Sequence, residues 1–470
     1  MTEGSVSAGR TLAPSPALSA RRLILPLALA QFICSFAGSN MNVMINDISR
    51  DLDTTVKGVQ TAITLFLLIM AILMIPCSKL TDRWGRKRCF NGGLVLYGIG
   101  ALLSAAAPGL GVLILGNSVL EGVGTALLIP PVYILATLWF TDTTRRAWAF
   151  GVISGLGGIG AAAGPLIGGL ITTAISWRAA FVFQALVIVA IVLLGRGITD
   201  PLPPDPTRRF DGIGAVLSGA GMFCLVFGIL QAGTNNTLLT VFLVVGLVLL
   251  AAFYLFVRRE EREGKEPLLS TSLFKNRTCN LALVTQNIQW LILLGTSFVV
   301  SVYLQTVREY SAIKTGVIFT AATVGLLISS LAAERFAKRR PQKQLIVWGF
   351  LITLAGIVLL IGLVVAWSSI VAFVPGLFLV GFGLGGMLTP SVNVVQSSFP
   401  ESQQGEISGL SRSVSNLGSS FGTAIAGTIL VAAESRGNGA YGWAMTSVGL
   451  FGLIGLGAAL LLPTRQRVAG

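Results

Sequence analysis

The sequence predicts an all-α polytopic membrane protein with 14 transmembrane helices in a 6 + 2 + 6 arrangement. Three observations predict it. Only 11% of the 470 residues are charged and 53% are apolar, against about 25% charged in an ordinary soluble chain. Apolar stretches of about 20 residues recur along the whole chain, and lysine and arginine collect at alternate ends of them. The 56 glycines fall inside those stretches without the three-residue period of collagen, as expected where small residues let helix backbones approach in lipid.

Stretches with few charges and enough length to cross about 30 Å of hydrocarbon follow one another from the N-terminus. The first six run from Leu23 to Ile45, Gln60 to Leu80, Cys89 to Ala107, Leu110 to Phe140, Trp148 to Ile175 and Ala179 to Leu194. Two more, Gly212 to Ala232 and Leu238 to Val257, stand between longer polar loops. The last six are Leu281 to Gln305, Thr315 to Ala333, Leu345 to Val365, Ile370 to Val395, Glu406 to Ala433 and Tyr441 to Leu462. The first follows Arg21-Arg22 and could pass for a signal peptide; it is long, ends in no clear small-residue cleavage pattern and precedes thirteen others, so it is read as retained.

Orientation follows the basic residues, which cytoplasmic loops retain. With the N-terminus inside, 26 of the 33 lysines and arginines are cytoplasmic, six are outside and one lies within a span. Both termini are then cytoplasmic, and the expected location is the cell (plasma or inner) membrane. The organisation reads as an N-terminal tail (1–22), a six-helix bundle (23–195), a loop (196–211) with four prolines, two linker helices (212–257), a second loop (258–278), a second six-helix bundle (279–462) and a short tail (463–470). The bundles look like copies. Leu80-Thr-Asp-Arg-Trp-Gly-Arg-Lys-Arg88 after span 2 is echoed by Ala332-Ala-Glu-Arg-Phe-Ala-Lys-Arg-Arg340 after span 10, a plan common in transporters, with the substrate site between the halves.

Composition removes several chemistries. Histidine is absent, which excludes histidine-ligated zinc, serine-histidine triads and histidine proton relays. Cys34, Cys77, Cys89, Cys224 and Cys279 are odd in number and include no C-x-x-C, so neither a disulfide framework nor a metal cluster is supported. No enzyme activity, cofactor or metal is expected. A net charge of +14 would suit a nucleic-acid partner if the basic residues shared a face with aromatics; they fall between spans instead, and none is expected. Gly155-x-Gly157-x-x-Gly160 and Gly381-x-Gly383-x-x-Gly386 satisfy a dinucleotide pattern, but inside spans and without a preceding strand.

In span 5, Gly151, Gly160, Gly164-Pro165 and Gly168-Gly169 reproduce the antiporter motif of the major facilitator superfamily. With the loop Ser78-Lys-Leu-Thr-Asp82-Arg83-Trp-Gly85-Arg86-Lys87-Arg88, the chain resembles the 14-helix drug:proton antiporter branch of that family along essentially its whole length. Trp177-Arg178, Tyr303-Leu304-Gln305 and Tyr310-Ser311 add shorter matches. The resemblance implies the major facilitator fold, a gating latch at Asp82, Arg83, Gly85 and Arg86, a weaker second latch at Glu334 and Arg335, and a hinge or seal at the span 5 glycines. Read without it, the glycines serve close packing, with Pro165 able to bend the helix, and the loop serves topology. Two positions depart from the branch: Ala37 stands where span 1 usually carries an aspartate, and Ser118-Val-Leu-Glu121-Gly122 stands where span 4 usually carries arginine and glutamine.

Charge inside a span costs at least about 2.5 to 3.5 kcal/mol, which makes such residues functional candidates. Of the 19 acids only Glu121 lies deep in a span. It is the candidate proton-coupling group, neutralised by a proton or a cationic substrate in turn; a structural carboxyl in a polar pocket is the other reading. Arg412, about two turns into span 13, either snorkels to the headgroups or meets substrate or a carboxylate. Family analogy lines a central cavity with spans 1, 4, 9 and 12, offering Gln31, Asn40, Asn42, Asn117, Ser118, Gln286, Asn287, Gln289, Trp290, Asn393 and Gln396. For any one of these, packing between helices is the alternative; together they suggest a site of sparse charge and apolar wall.

The expected function is a secondary active transporter that exports hydrophobic or amphiphilic compounds by alternating access in exchange for protons. Its partners would be the lipid bilayer, the substrate and protons, and it would act as a monomer. A facilitator or lipid-like substrate transporter without strict proton coupling is the alternative, and a non-transporting membrane sensor or scaffold the third.

Overall fold

The structure is a computed structural model that describes residues 16–140, 142–207, 210–337, 340–366, 369–399, 403–432 and 438–463. Regular structure among them is helical throughout. Six long helices come first: α1 (Pro16–Asn40), α2 (Val56–Trp84), α3 (Arg86–Ala105), α4 (Leu110–Trp139), α5 (Thr143–Ala174) and α6 (Trp177–Leu194). Then come α7 (Gly212–Leu230) and α8 (Asn236–Arg262), and finally α9 (Arg277–Val302), α10 (Ala312–Ala337), α11 (Gln342–Ala366), α12 (Phe373–Gln396), α13 (Gln404–Ala432) and α14 (Asn438–Leu461). α1 continues through a 3-10 turn (Met41–Met44) into a short helix (Ile45–Asp51).

Helix starts are set by polar caps just outside the apolar stretches. Thr55, Ser176, Asp211, Asn235 and Asn276 each accept the free amide three residues on, at 2.7 to 3.3 Å, which satisfies one of the orphan donors of a first turn. That is why several helices begin a few residues before the expected spans. Twelve of the fourteen are long and apolar enough to cross a membrane. α3 and α13 have the length but are more polar, because α3 opens on Arg86-Lys87-Arg88 and α13 carries six serines.

The helices form two bundles, α1–α6 and α9–α14, which meet along two seams. α2 lies against α13: Gln60 Nε2 donates to the Thr423 and Ala424 carbonyls at 3.1 and 3.3 Å, Ser420 to the Thr64 carbonyl at 3.2 Å and Ser413 to the Ala71 carbonyl at 2.6 Å. α5 lies against α10: Thr323 donates to the Ala162 carbonyl at 2.6 Å, and the Ile313 amide to Thr173 at 3.1 Å. α7 and α8 stay outside both bundles. α7 docks over the α2–α13 seam, where Leu68, Val226, Leu230 and Ala424 form a small apolar core of their own.

The internal repeat is visible in backbone contacts. In the first bundle Gly93 faces Gly124 and Gly100 faces Gly116 across α3 and α4; in the second, Gly349 faces Gly383 and Gly356 faces Gly376 across α11 and α12. At each position a Cβ would press into the opposing backbone, so side-chain deletion is what lets these helices touch. One difference breaks the symmetry. Gly116 and Gly124 are eight residues apart and Gly376 and Gly383 seven. The additional residue is absorbed by a π-helical stretch in α4, Ile114–Glu121, a form that occurs as an inserted residue in an α-helix and is frequent at functional sites.

Candidate functional site: a central cavity with one cation

Between the bundles lies a cavity with room for the centre of a water-sized sphere across about 120 Å³, lined by α1, α2, α4, α5, α9, α10, α12 and α13. Its wall is largely apolar, with Leu67, Met70, Met74, Leu293, Phe319 and Leu326, and its polar groups are mostly hydroxyls and amides, among them Ser35, Ser39, Thr296, Ser297, Ser415 and Asn416. Arg412 is the charged side chain among the lining residues.

Of the twelve residues expected on this cavity, Gln31, Trp290 and Arg412 line it. Gln31 and Arg412 meet through a residue that sequence reasoning missed, Tyr133 on α4. Its hydroxyl donates to Gln31 Oε1 at 3.3 Å and accepts from the Arg412 guanidinium, which also sits 4.9 Å from the ring centroid. α1 and α4 of one bundle are thereby tied to α13 of the other. Tyrosine in a span reads as core packing, and only a polar group across the seam distinguishes it.

The other nine lie elsewhere, chiefly as ties between helices. Asn42 donates to Ser297 at 3.2 Å, Ser118 to the Ala62 carbonyl at 2.7 Å, Asn287 to the Val414 carbonyl at 2.8 Å, and Gln396 to Ser408 at 3.0 Å. Gln286 accepts from Ser411 at 2.9 Å and Gln289 donates to Ser391. Asn40 is fully buried beside Gly168, and Asn393 is exposed. For the paired amides the physical reason is that a buried amide needs a partner, and neighbouring helices supply carbonyls and hydroxyls closer than the cavity does; the buried Asn40 amide has no partner among the described residues.

Glu121 ends the π-helical stretch and is fully buried, on the side of α4 that faces α3. Asn117 Nδ2 and Ser104 Oγ approach its carboxyl oxygens, both at 3.4 Å, and Tyr97 with Gln184 forms a second buried pair nearby, at 2.5 Å. No cation pairs with it among the described residues. It is therefore a polar centre inside the first bundle rather than a group on the cavity wall.

The loop after α2 is tied to the rest of the first bundle by two polar contacts. Arg86 pairs with Asp82 at 2.6 Å, and Asp200 accepts the Arg86 amide at 2.6 Å, capping α3. Gly85 sits at φ +94°, a conformation that side chains disfavour. Arg83 is half-buried beside them. Among the described residues, Lys79 and Glu406 form an ion pair that crosses to the second bundle. Each side chain is about a quarter exposed, so the pair resembles surface bridges worth about 0 to 1 kcal/mol. Glu406→Gln should lower the thermal midpoint by less than about 2 °C in a melting experiment. Glu334 and Arg335, the second latch, fall outside the described side chains.

The span 5 glycines face two partners. Gly160 and Gly164 abut the α1 backbone at Phe32 and Phe36, and Gly168 abuts Asn40. Gly169 abuts the Ala312 carbonyl, and Gly316 of α10 abuts the Pro165 carbonyl. A Cβ on Gly151, Gly155 or Gly158 would meet open space. α5 is thus held against α10 at one end, the end where the chain just after α1 is also tied to Gln305, in the turn Tyr303–Val307 that continues α9; Gln305 donates to the Asn42 carbonyl at 2.9 Å and accepts from the Asn46 amide at 3.1 Å.

Two pseudo-repeated bundles around a central cavity match known proteins. The family profile described as Major Facilitator Superfamily fits residues 27–239 and again 210–423. The chain belongs to the major facilitator superfamily. Among curated relatives of this family, it is 30% identical to the puromycin resistance protein pur8 of Streptomyces alboniger, over 88% of this chain and 82% of that one. It is 30% identical to the tetracenomycin C resistance and export protein of Streptomyces glaucescens, over 82% and 71%. The multidrug efflux pump LfrA of Mycolicibacterium smegmatis is 29% identical over 79% and 73%. The fold itself is shared with a crystal structure of the peptide transporter POT in complex with sulfate, at a TM-score of 0.69 and 16% identity, covering 93% of this chain and 94% of that one. A major facilitator protein with these relatives is a multi-pass membrane transporter and not an enzyme.

Proposed function

We propose that the chain is a secondary active exporter of hydrophobic or amphiphilic compounds, working by alternating access and exchanging its cargo for protons. The observation that carries this reading is the cavity on the seam between the bundles, apolar on most of its wall and bridged by Gln31, Tyr133 and Arg412. Curated relatives named for drug resistance and efflux support the direction and the cargo class. In this reading the chain crosses the plasma membrane fourteen times with both termini cytoplasmic, and acts as a monomer. The span 5 glycines form the seal between α5 and α10. Asp82, Arg83, Gly85 and Arg86 form the cytoplasmic latch with Glu334 and Arg335 as its weaker counterpart, and Lys79 with Glu406 assists at the seam.

Glu121 carries the proton. A carboxyl group can cross between neutral and charged forms without any change in covalent structure, and each proton entering down a 100 mV potential supplies about 2.3 kcal/mol. The experiment is flux in liposomes: purified protein, an imposed pH gradient and a lipophilic fluorescent substrate. Accumulation should follow the gradient and stop when it is collapsed. Flux indifferent to the gradient selects the second reading, a facilitator without strict proton coupling, which is favoured by the placement of Glu121 behind α4 rather than on the cavity wall.

A further inference from the structure

We propose that the central cavity selects organic anions: molecules with an apolar body and one negatively charged group that Arg412 receives. The inference rests on the reading of this cavity as the substrate site, and it specifies the charge of the cargo. Aspartate, glutamate and lysine do not occur among the lining residues, and Arg412 does. Its described partners are neutral, the hydroxyl and ring of Tyr133. A guanidinium presents five donors in a fixed fork and cannot lose its proton. With Tyr133 taking part of that capacity, no carboxylate matches the remainder among the described residues.

The surroundings sharpen the selection. Met70, Met74, Trp290 and Phe319 give the cavity a polarizable apolar wall, where a charge is screened less than in water. An anion there gains a charge-assisted bond to Arg412. A cation meets like charge with no acid to offset it, because Glu121 is enclosed by Asn117 and Ser104 on the α3 side. The hydroxyls and amides of the wall both donate and accept, so they do not reverse the preference.

The test uses two ions of one shape and opposite charge, tetraphenylborate and tetraphenylphosphonium, bound to the full-length protein in dodecyl maltoside micelles and sodium buffer, with uptake by empty micelles subtracted. The wild type should hold the borate at least about tenfold tighter than the phosphonium, because the two ions differ only in the sign of the charge that meets Arg412 in a cavity where charge is poorly screened. Arg412→Gln should weaken borate binding about tenfold and tighten phosphonium, while Arg412→Lys keeps the preference. Equal affinities in the wild type, a preference for the phosphonium, or an Arg412→Gln protein that binds as the wild type does would overturn the proposal. If Arg412→Gln does not fold, the wild-type ratio and Arg412→Lys decide. Phosphatidylglycerol displacing the borate where phosphatidylcholine does not would support an anionic lipid as the natural source of the charge; displacement by neither, with the borate preference intact, would support a water-borne anion. Binding in detergent needs no gradient, so a failed flux experiment with intact charge selection counts against export, and the converse counts against the anion.

Discussion

Replacing Gly169 by valine is expected to cut gradient-driven flux at least about fivefold, and Gly316→Val should do the same. In each case the new Cβ would overlap a carbonyl oxygen of the opposing helix, at Ala312 and Pro165 respectively. Backbone cannot move aside as a side-chain end can, so α5 and α10 must separate. Overpacking of this kind typically costs about 1 to 3 kcal/mol, and a bias of that size against one of two conformations depletes it by roughly five- to more than a hundredfold. A cycle that must pass through the sealed conformation slows by a similar factor. Gly151→Val is the control: it belongs to the same sequence motif, yet its Cβ would meet open space, and flux should stay within about twofold of wild type. Initial uptake rates in proteoliposomes check all three, and equal loss in Gly151→Val and Gly169→Val would contradict the packing argument.

Glu121→Gln is expected to abolish accumulation driven by a pH gradient, to below about a tenth of wild type, while exchange of substrate for substrate across the membrane continues. Glutamine has nearly the same shape; its oxygen can accept from Asn117 while its amide nitrogen donates to the Ser104 hydroxyl, so both contacts can be kept. The fold should therefore survive, with a melting midpoint close to that of the wild type. What is lost is the ability to take up and release a proton at that place. Measuring gradient-driven uptake and exchange on the same preparation separates the roles: loss of both points to a packing defect, and gradient-driven uptake at the wild-type rate removes Glu121 from the coupling.

The architecture was legible because lipid imposes a coarse rule on sequence. Stretches such as Leu238 to Val257 have no soluble alternative, and the alternation of basic loops orders them. The two bundles showed in the repeated loops at Asp82 and Glu334. The candidate site was legible in part: Arg412 stood out as the cation inside a span, and Gln31 and Trp290 were expected on the cavity that they line. Amides such as Asn287 and Gln289 did not sort, since a polar side chain facing a neighbouring helix and one facing a cavity leave the same trace in sequence. Tyr133 was hidden for the opposite reason, being apolar enough to pass as core. The π-helical stretch had a trace that was overlooked. Gly116 and Gly124 are eight apart where their counterparts Gly376 and Gly383 are seven, and comparing the halves residue by residue exposes the insertion.

That surplus residue has a mechanical consequence. A wide turn can migrate along its helix by exchanging one backbone bond for another at each step, so the number of bonds made is conserved while the side chains it passes swing by about 100° around the axis. α4 carries Glu121 at the end of its wide turn and Tyr133 three turns beyond. The same rod thus carries a wide turn at one point and a grip on the opposite lobe at another, while its counterpart α12, built without the surplus residue, runs as an α-helix throughout.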